Sequence, residues 1–207
     1  MNHLVDGILA APVVVAGTAL AAGGLVIGCR RLEPERIPKA ALLAAAFFVV
    51  SLVHVPIGPW GLHPLLNGLL GILLGWAAFP VIFVALLLQA MIFGVGGITV
   101  LGVNTVTLAL PAVVVHALFA ARVERGSPVL WGALAGASAA VMSGALVATA
   151  LALSGKELWP AATLVSAAYL PLAAVEAGLT ATIASYLVRV HPAMLAAGGL
   201  LAHGRDA

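Results

Sequence analysis

The chain has 207 residues, of which 63% are hydrophobic and only 8% are charged. Soluble globular domains carry about a quarter charged residues, so this composition and a mean hydropathy of +1.20 exclude an ordinary soluble protein. Nine basic residues against seven acidic ones do not make the basic surface of a nucleic-acid-binding protein. The single cysteine, Cys29, excludes an internal disulfide and a site built from several thiolates.

Seven apolar runs approach or exceed the length of about 20 residues that crosses a bilayer. These runs are 8–29, 39–57, 62–78, 79–94, 104–122, 129–153 and 160–189. The third and fourth are short and almost continuous, which indicates a tight helical hairpin around 75–80, with one long broken helix as the alternative. The sequence therefore predicts an all-α integral membrane protein with about seven transmembrane helices, as a single membrane domain over residues 1–207.

The basic residues predict the orientation of these spans. With the N-terminus outside, eight of the nine basic residues fall on the inner side and only Lys156 falls outside, which is the distribution that the positive-inside rule describes. We therefore expect the N-terminus outside, the C-terminus inside and an odd number of spans in the cytoplasmic (inner) membrane. The start of the chain has no basic leader, so we expect no cleaved signal peptide.

The chain begins Met1-Asn2-His3, a pattern that can chelate a metal ion. The α-amine, the intervening amide nitrogens and the His3 imidazole would form fused rings with a planar set of nitrogen ligands, which suits Ni²⁺ or Cu²⁺. A histidine near a chain end is also common by accident. The pattern alone is a hypothesis that needs a structural context.

A loop rich in proline and glycine follows the second run and contains His54 and His63. Such residues bend and stiffen the backbone, which can hold an imidazole in a fixed position. His63 precedes a proline at a helix start, and Asn67 lies one turn further, so we favour His63 as a ligand. For His54, metal binding and a hydrogen bond to a helix end are equally good interpretations. His3, His54 and His63 all lie on the predicted outer side.

Polar groups within the predicted spans need partners, because lipid offers none. We expect Gln89, Asn104 and Asn67 to orient a ligand imidazole, with glycine-rich backbone at 94–97 shaping the floor of a small pocket. For Glu176 and His116 we favour a role in helix packing over one in transport.

Several segments, in order along the chain, resemble one family. They are 1–9, 53–59, 63–80, 88–90 and 96–105. These segments are similar to the CbiM/NikM family, the substrate-capture membrane subunits of energy-coupling-factor cobalt and nickel transporters. The likeness extends from the first residue to about Pro111.

The resemblance implies that the chain binds Ni²⁺ or Co²⁺ as its transported substrate and binds no nucleotide. The implied ligands are Met1, the backbone through Asn2 to His3, the His3 imidazole and His63. The implied partners are a transmembrane coupling subunit and ATPase subunits that hydrolyse ATP, in a lipid bilayer. A small accessory membrane subunit is a further candidate partner, and nucleic acid is not one.

Two positions depart from the family pattern. The family usually begins Met-His, whereas Asn2 intervenes here. If Met1 is removed, Asn2-His3 restores the family spacing. Because asparagine is a poor second residue for that removal, we expect Met1 to be retained. The chelate then gains an extra amide nitrogen, which favours a move of His63 from an in-plane to an apical position. Val95 stands where some members carry an acidic residue, which argues against a carboxylate ligand.

Two other functions are alternatives to metal capture. An ion-gradient-driven carrier would usually show inverted repeats and charged residues near the membrane midplane, and we identify neither in the sequence. An intramembrane enzyme is less favoured still, because the sequence has no Gly-x-Ser-x-Gly or His-Glu-x-x-His motif and no pair of intramembrane carboxylates.

Overall fold

The computed structural model describes residues 4–53, 55–57 and 60–196. These residues are mostly helical, with one short ribbon of two strands. In chain order the elements are α1 (Ala11–Arg30), α2 (Ile37–Ser51), β1 (Val55–Ile57), β2 (Trp60–Leu62), α3 (Asn67–Leu74), α4 (Ala78–Phe93), α5 (Leu101–Arg125), α6 (Pro128–Ser154), α7 (Trp159–Val190) and α8 (Ala193–Ala196). Single turns of 3-10 helix precede α2, α4 and α7.

Five stretches of the described chain are long and apolar enough to cross a membrane, which agrees with a helical multi-pass membrane protein. They are Ala11–Arg30, Asn67–Phe93, Leu101–Arg125, Pro128–Ser154 and Lys156–Val190. The predicted number of seven is not confirmed by this criterion. Helix α2 has only 15 residues, and α3 and α4 reach the required length only when they are counted together.

The predicted second span, 39–57, is shorter in the structure because its last residues do not continue the helix. Residues 55–57 instead pair in antiparallel fashion with 60–62, in the register Val55↔Leu62 and Ile57↔Trp60. The residue before a proline is disfavoured in helical conformation, and Val55 precedes Pro56. The predicted Pro/Gly loop therefore contains a short ribbon whose second strand ends immediately before His63.

The chain reverses direction between α3 and α4. Helix α3 lies beside α5 and runs the same way, since the Asn67 side chain donates to the Leu108 carbonyl and a side chain added at Gly75 would meet the His116 ring. Helix α4 must run back, because residues 94–100 connect its end directly to the start of α5. Gly75, with φ 55° and ψ −124°, makes the turn in a conformation that favours glycine. These contacts favour the predicted hairpin over one long broken helix.

Glycines allow α6 and α7 to approach closely. A Cβ atom added at Gly136 would lie 2.3 Å from the backbone oxygen of Glu176, and one added at Gly144 would lie 2.6 Å from the ring of Tyr169. Helix pairs in membranes depend on such small residues, because lipid provides little hydrophobic drive for association. The close contact holds the middle of α7, including Glu176, against the core of the protein.

Replacing Gly136 with alanine should therefore destabilise the protein. The new methyl group would also lie 2.7 Å from the carbonyl carbon of Glu176, and a backbone atom cannot rotate away as a side chain can. We expect the free energy of unfolding to fall by about 1–3 kcal/mol, the usual cost of overpacking, measured as a lower melting temperature in detergent. Gly178→Ala is the matched control on α7, because a Cβ there meets nothing within 4 Å. Equal melting temperatures for the two variants would contradict the close α6–α7 contact.

Candidate metal centre

Of the four residues predicted to bind a metal, His63 lies within the described residues. Met1, Asn2 and His3 lie outside them, and so does His54. Within the ranges that the structure describes, no three His, Cys, Asp or Glu side chains are grouped to hold a metal ion. What the structure describes is the environment of His63 and the hydrogen bonds of the residues that follow His3.

His63 begins a buried segment that leads from the β-ribbon into α3. Its side chain is only 8% exposed, and residues 63–66 are all buried and lie between β2 and α3. Leu66, the last of them, has φ 48°, a left-handed conformation that residues with a side chain rarely adopt. The backbone that carries His63 is thus held in a defined and unusual path.

A carboxylate from α7 supports this path. The backbone N–H groups of Leu65 and Leu66 both donate to Glu176 Oε1, at 2.5 and 3.1 Å, and Glu176 is fully buried. Further along α3, His116 Nδ1 lies 3.0 Å from the Gly71 carbonyl oxygen. Glu176 and His116 therefore both bond to the backbone in or next to α3, which agrees with the packing role that the sequence favours for them.

The N-terminal segment is fastened to α5 immediately after His3. The backbone N–H of Leu4 donates to Asn104 Oδ1 at 3.0 Å, and Asn104 Nδ2 donates to the Leu4 carbonyl oxygen at 2.9 Å. Leu4 itself is buried in an apolar cluster with residues of α5, α6 and α7. The structure places Asn104 against the backbone next to His3, and its predicted role in orienting an imidazole stays a prediction.

A second contact fastens the same segment to the loop before α5. The carboxylate of Asp6 accepts hydrogen bonds from the Thr99 hydroxyl, the Thr99 N–H at 3.1 Å and the Val100 N–H at 3.3 Å. The hydroxyl bond, reinforced by the backbone bonds, lowers the pKa of Asp6 below its usual value, against a smaller opposing effect of desolvation. A Cβ at Gly97 would overlap the Asp6 carboxylate, so the glycine-rich loop receives this side chain.

Asn67 and Gln89 are buried, and their hydrogen bonds lead to other helices. Asn67 Nδ2 donates to Ser143 Oγ at 2.7 Å and to the Leu108 carbonyl at 3.4 Å. Gln89 Nε2 donates to the Ser51 hydroxyl at the end of α2. Among the described residues, Asn67 therefore joins α3 to α5 and α6, and Gln89 joins α4 to α2.

The bonding of Asp6 and of Glu176 to backbone N–H groups did not emerge from the sequence analysis. For Asp6, the signal was a carboxylate three residues after His3, in a chain where only 8% of the residues are charged. For Glu176, the signal was the cost of a carboxylate within a membrane helix, which demands a partner. Neither signal identifies the partner, which lies about a hundred residues away.

Comparisons with known proteins agree on one family. The model of the CbiM family, described as the cobalt uptake substrate-specific transmembrane region, matches residues 3–194. A provisionally named metal transport protein of Haemophilus influenzae is 39% identical over 198 residues, which are 93% of this chain and 96% of the relative. The cobalt transport protein CbiM of Sorangium cellulosum is 31% identical over 93% of this chain and 94% of its own length.

A fused protein and a solved structure extend these findings. The fused nickel transport protein NikMN of Rhodobacter capsulatus is 38% identical over 134 residues, which are 61% of this chain and 38% of the fused protein. The crystal structure of a truncated transition metal transporter is similar in fold, with a TM-score of 0.79 and 24% sequence identity over 91% of this chain and 99% of that one.

Proposed function

Since this chain belongs to the CbiM family of substrate-specific transmembrane regions for cobalt uptake, we propose that it captures Ni²⁺ or Co²⁺ at the outer face of the inner membrane. Capture would use the chain's own amino terminus together with His63. The family and the relatives named for cobalt or nickel transport support this cargo. The family is a transporter component, and we propose that this chain binds the ion and is not itself an enzyme.

The observation that carries this proposal lies on α5, where two segments that bear predicted ligands are attached one turn apart. Asn104 bonds to both backbone polar groups of Leu4, three residues from the amino terminus. Asn67, four residues from His63, donates to the Leu108 carbonyl. Asn104 and Leu108 are separated by one helical turn, which is about 6 Å along the axis. The two segments are therefore hydrogen bonded to α5 at positions one helical turn apart.

The donors in this arrangement fit a nickel or cobalt ion. We propose that the Met1 amine, the amide nitrogens of Asn2 and His3, the His3 imidazole and the His63 imidazole would hold the ion. Nitrogen donors in a tetragonal arrangement suit Ni²⁺, and Cu²⁺ binds such sets more tightly still. Selection of the cargo then depends on geometry and on the metal supplied.

We propose a topology of seven passes, with α2 and α3 as short ones and the N-terminus outside. Support comes from the reversal between α3 and α4, which makes the number of passes odd. Further support comes from the basic residues at the last turns of α1, α5 and α7, which run in the same direction. These are Arg30, Arg122, Arg125 and Arg189. By the positive-inside rule, the ends that carry them face the cytoplasm.

Uptake against a gradient would require energy from partner subunits. We propose that a transmembrane coupling subunit and ATPase subunits supply it, because the sequence of this chain has no nucleotide-binding motif. Fused relatives with names of the NikMN and LarMN type indicate that components of such transporters are encoded together. We propose that the single membrane domain over residues 1–207 is the metal-capturing subunit of that transporter.

One added residue before Met1 is expected to abolish tight metal binding. The extension converts the Met1 amine into a backbone amide and moves the free amine out of the chelate. Purified protein with its native N-terminus should retain about one Ni²⁺ or Co²⁺ ion per chain after dialysis, measured by elemental analysis and absorption, whereas the extended protein should retain almost none.

The control for this experiment is the same residue added after Ala207. That protein should bind metal as the native chain does. Equal metal content in the native and the N-terminally extended proteins would contradict an amino-terminal site, and so would the absence of bound metal from the native chain.

A further inference from the structure

Glu176 bonds to the first two backbone N–H groups that follow His63. Pro64 has no N–H, so those of Leu65 and Leu66 are the next donors along the chain, and both donate to Glu176 Oε1. The hydrogen bonds join α7 to a segment 110 and 111 residues away in sequence. The Glu176 carboxylate therefore bonds to the backbone two and three residues after His63.

The backbone N–H groups of Leu65 and Leu66 need a hydrogen-bond acceptor from another part of the chain. Helix α3 starts after Leu66, and no side chain of the segment caps its first turn. Leu65 and Leu66 precede α3, so their N–H groups have no partner within the helix, and lipid cannot replace one. The left-handed conformation of Leu66 is rarely populated by a residue with a side chain. The two bonds to Glu176 hold the backbone in this conformation.

A role limited to helix packing would not require two hydrogen bonds to one short stretch of backbone. Charged groups within a membrane are costly, and a single N–H can be satisfied by a hydroxyl or an amide. Thr180, one turn further on α7, is also fully buried and its hydroxyl has no partner among the described residues. Polar groups on this face of α7 are thus tolerated without a bond, whereas Glu176 makes two bonds at one place.

We infer that Glu176 is a positioning residue for the metal site: through Leu65 and Leu66 it holds the His63 backbone so that the imidazole can reach the metal. This inference rests on the proposed function. Groups that orient a metal ligand usually change metal affinity about 10- to 100-fold when they are removed. Glu176 would act through the backbone of the ligand and not through its ring.

Three substitutions of Glu176 and one control test this role. Glu176→Ala removes the acceptor, Glu176→Asp shortens it by one methylene, and Glu176→Gln keeps an acceptor oxygen at the same reach. Thr180→Val is the matched control on the same face of α7. Each protein is purified with a native N-terminus, and three quantities are measured: the Kd for Ni²⁺ and Co²⁺, the absorption spectrum of the bound ion, and the melting temperature without metal.

Glu176→Ala and Glu176→Asp should bind about 10- to 100-fold more weakly than the unaltered protein, with a changed absorption spectrum because the His63 ligand is displaced. Glu176→Gln should restore affinity and spectrum close to those of the unaltered protein, and Thr180→Val should change neither. If Glu176→Ala does not fold, Glu176→Asp decides, because it keeps the carboxylate on α7.

Unchanged affinity and spectrum in Glu176→Ala, or in Glu176→Asp where alanine is not tolerated, would overturn the inference even if the melting temperature falls. Equal losses in Thr180→Val and Glu176→Ala would also overturn it, because the effect would then be one of general packing. Failure of the unaltered protein to bind metal is a different result, since it contradicts the proposed function itself.

Discussion

Replacing His63 with alanine is expected to reduce the affinity for Ni²⁺ and Co²⁺ more than about 100-fold, beyond the effect of groups that only orient a ligand. The imidazole is the one proposed ligand that comes from outside the N-terminal segment, so its loss leaves the chelate of Met1 to His3 open to water and to competing ligands. Equilibrium titration of the purified protein with a native N-terminus measures this loss. His3→Ala should have an effect of the same order.

His191→Ala is the control for a general effect of losing a histidine. His191 is exposed and follows the last residue of α7, so this variant should bind metal as the unaltered protein does. The melting temperature of His63→Ala without metal separates lost coordination from a damaged fold, because the bonds from Leu65 and Leu66 to Glu176 do not involve the imidazole. Tight metal binding by His63→Ala would remove this residue from the proposed site.

The long helices could be predicted from the sequence, since hydropathy and flanking residues define them. The spans predicted at 129–153 and 160–189 correspond to α6 (Pro128–Ser154) and α7 (Trp159–Val190). The predictions were poorest between α2 and α3. The predicted second span continued to residue 57, yet residues 55–57 form a strand. A short apolar run does not distinguish a strand from the end of a helix.

In the candidate site, too, some features could be predicted from the sequence and others could not. Residue types predicted that Asn104 and Asn67 would support a site, and both are buried and hydrogen bonded near the starts of α5 and α3. Their partners could not be predicted, because a hydrogen bond between residues 100 positions apart depends on how the helices pack. For the same reason, the bonds of Asn104 to the backbone of Leu4 could not be predicted.

Replacing Asn104 with leucine is expected to weaken metal binding about 10- to 100-fold, the range found for groups that support metal ligands. Leucine has a similar volume but can neither accept from the Leu4 N–H nor donate to its carbonyl. The buried backbone of Leu4 would then have two unpaired polar groups, which is unfavourable, and the chain before it would sample many positions. Affinity is measured by titration, and hydrogen exchange of the Leu4 amide reports directly on the lost bond.

Thr105→Val provides the matched control on the adjacent position of α5. Thr105 is equally buried, but its hydroxyl bonds to the Leu101 carbonyl of the same helix at 2.8 Å and does not touch the N-terminal segment. That variant should keep both the metal affinity and the protection of the Leu4 amide. If Asn104→Leu exposed the Leu4 amide to exchange but bound metal normally, the chelate would not need its attachment to α5. The neighbouring attachments of Leu4 and Asn67 would then no longer support an amino-terminal site.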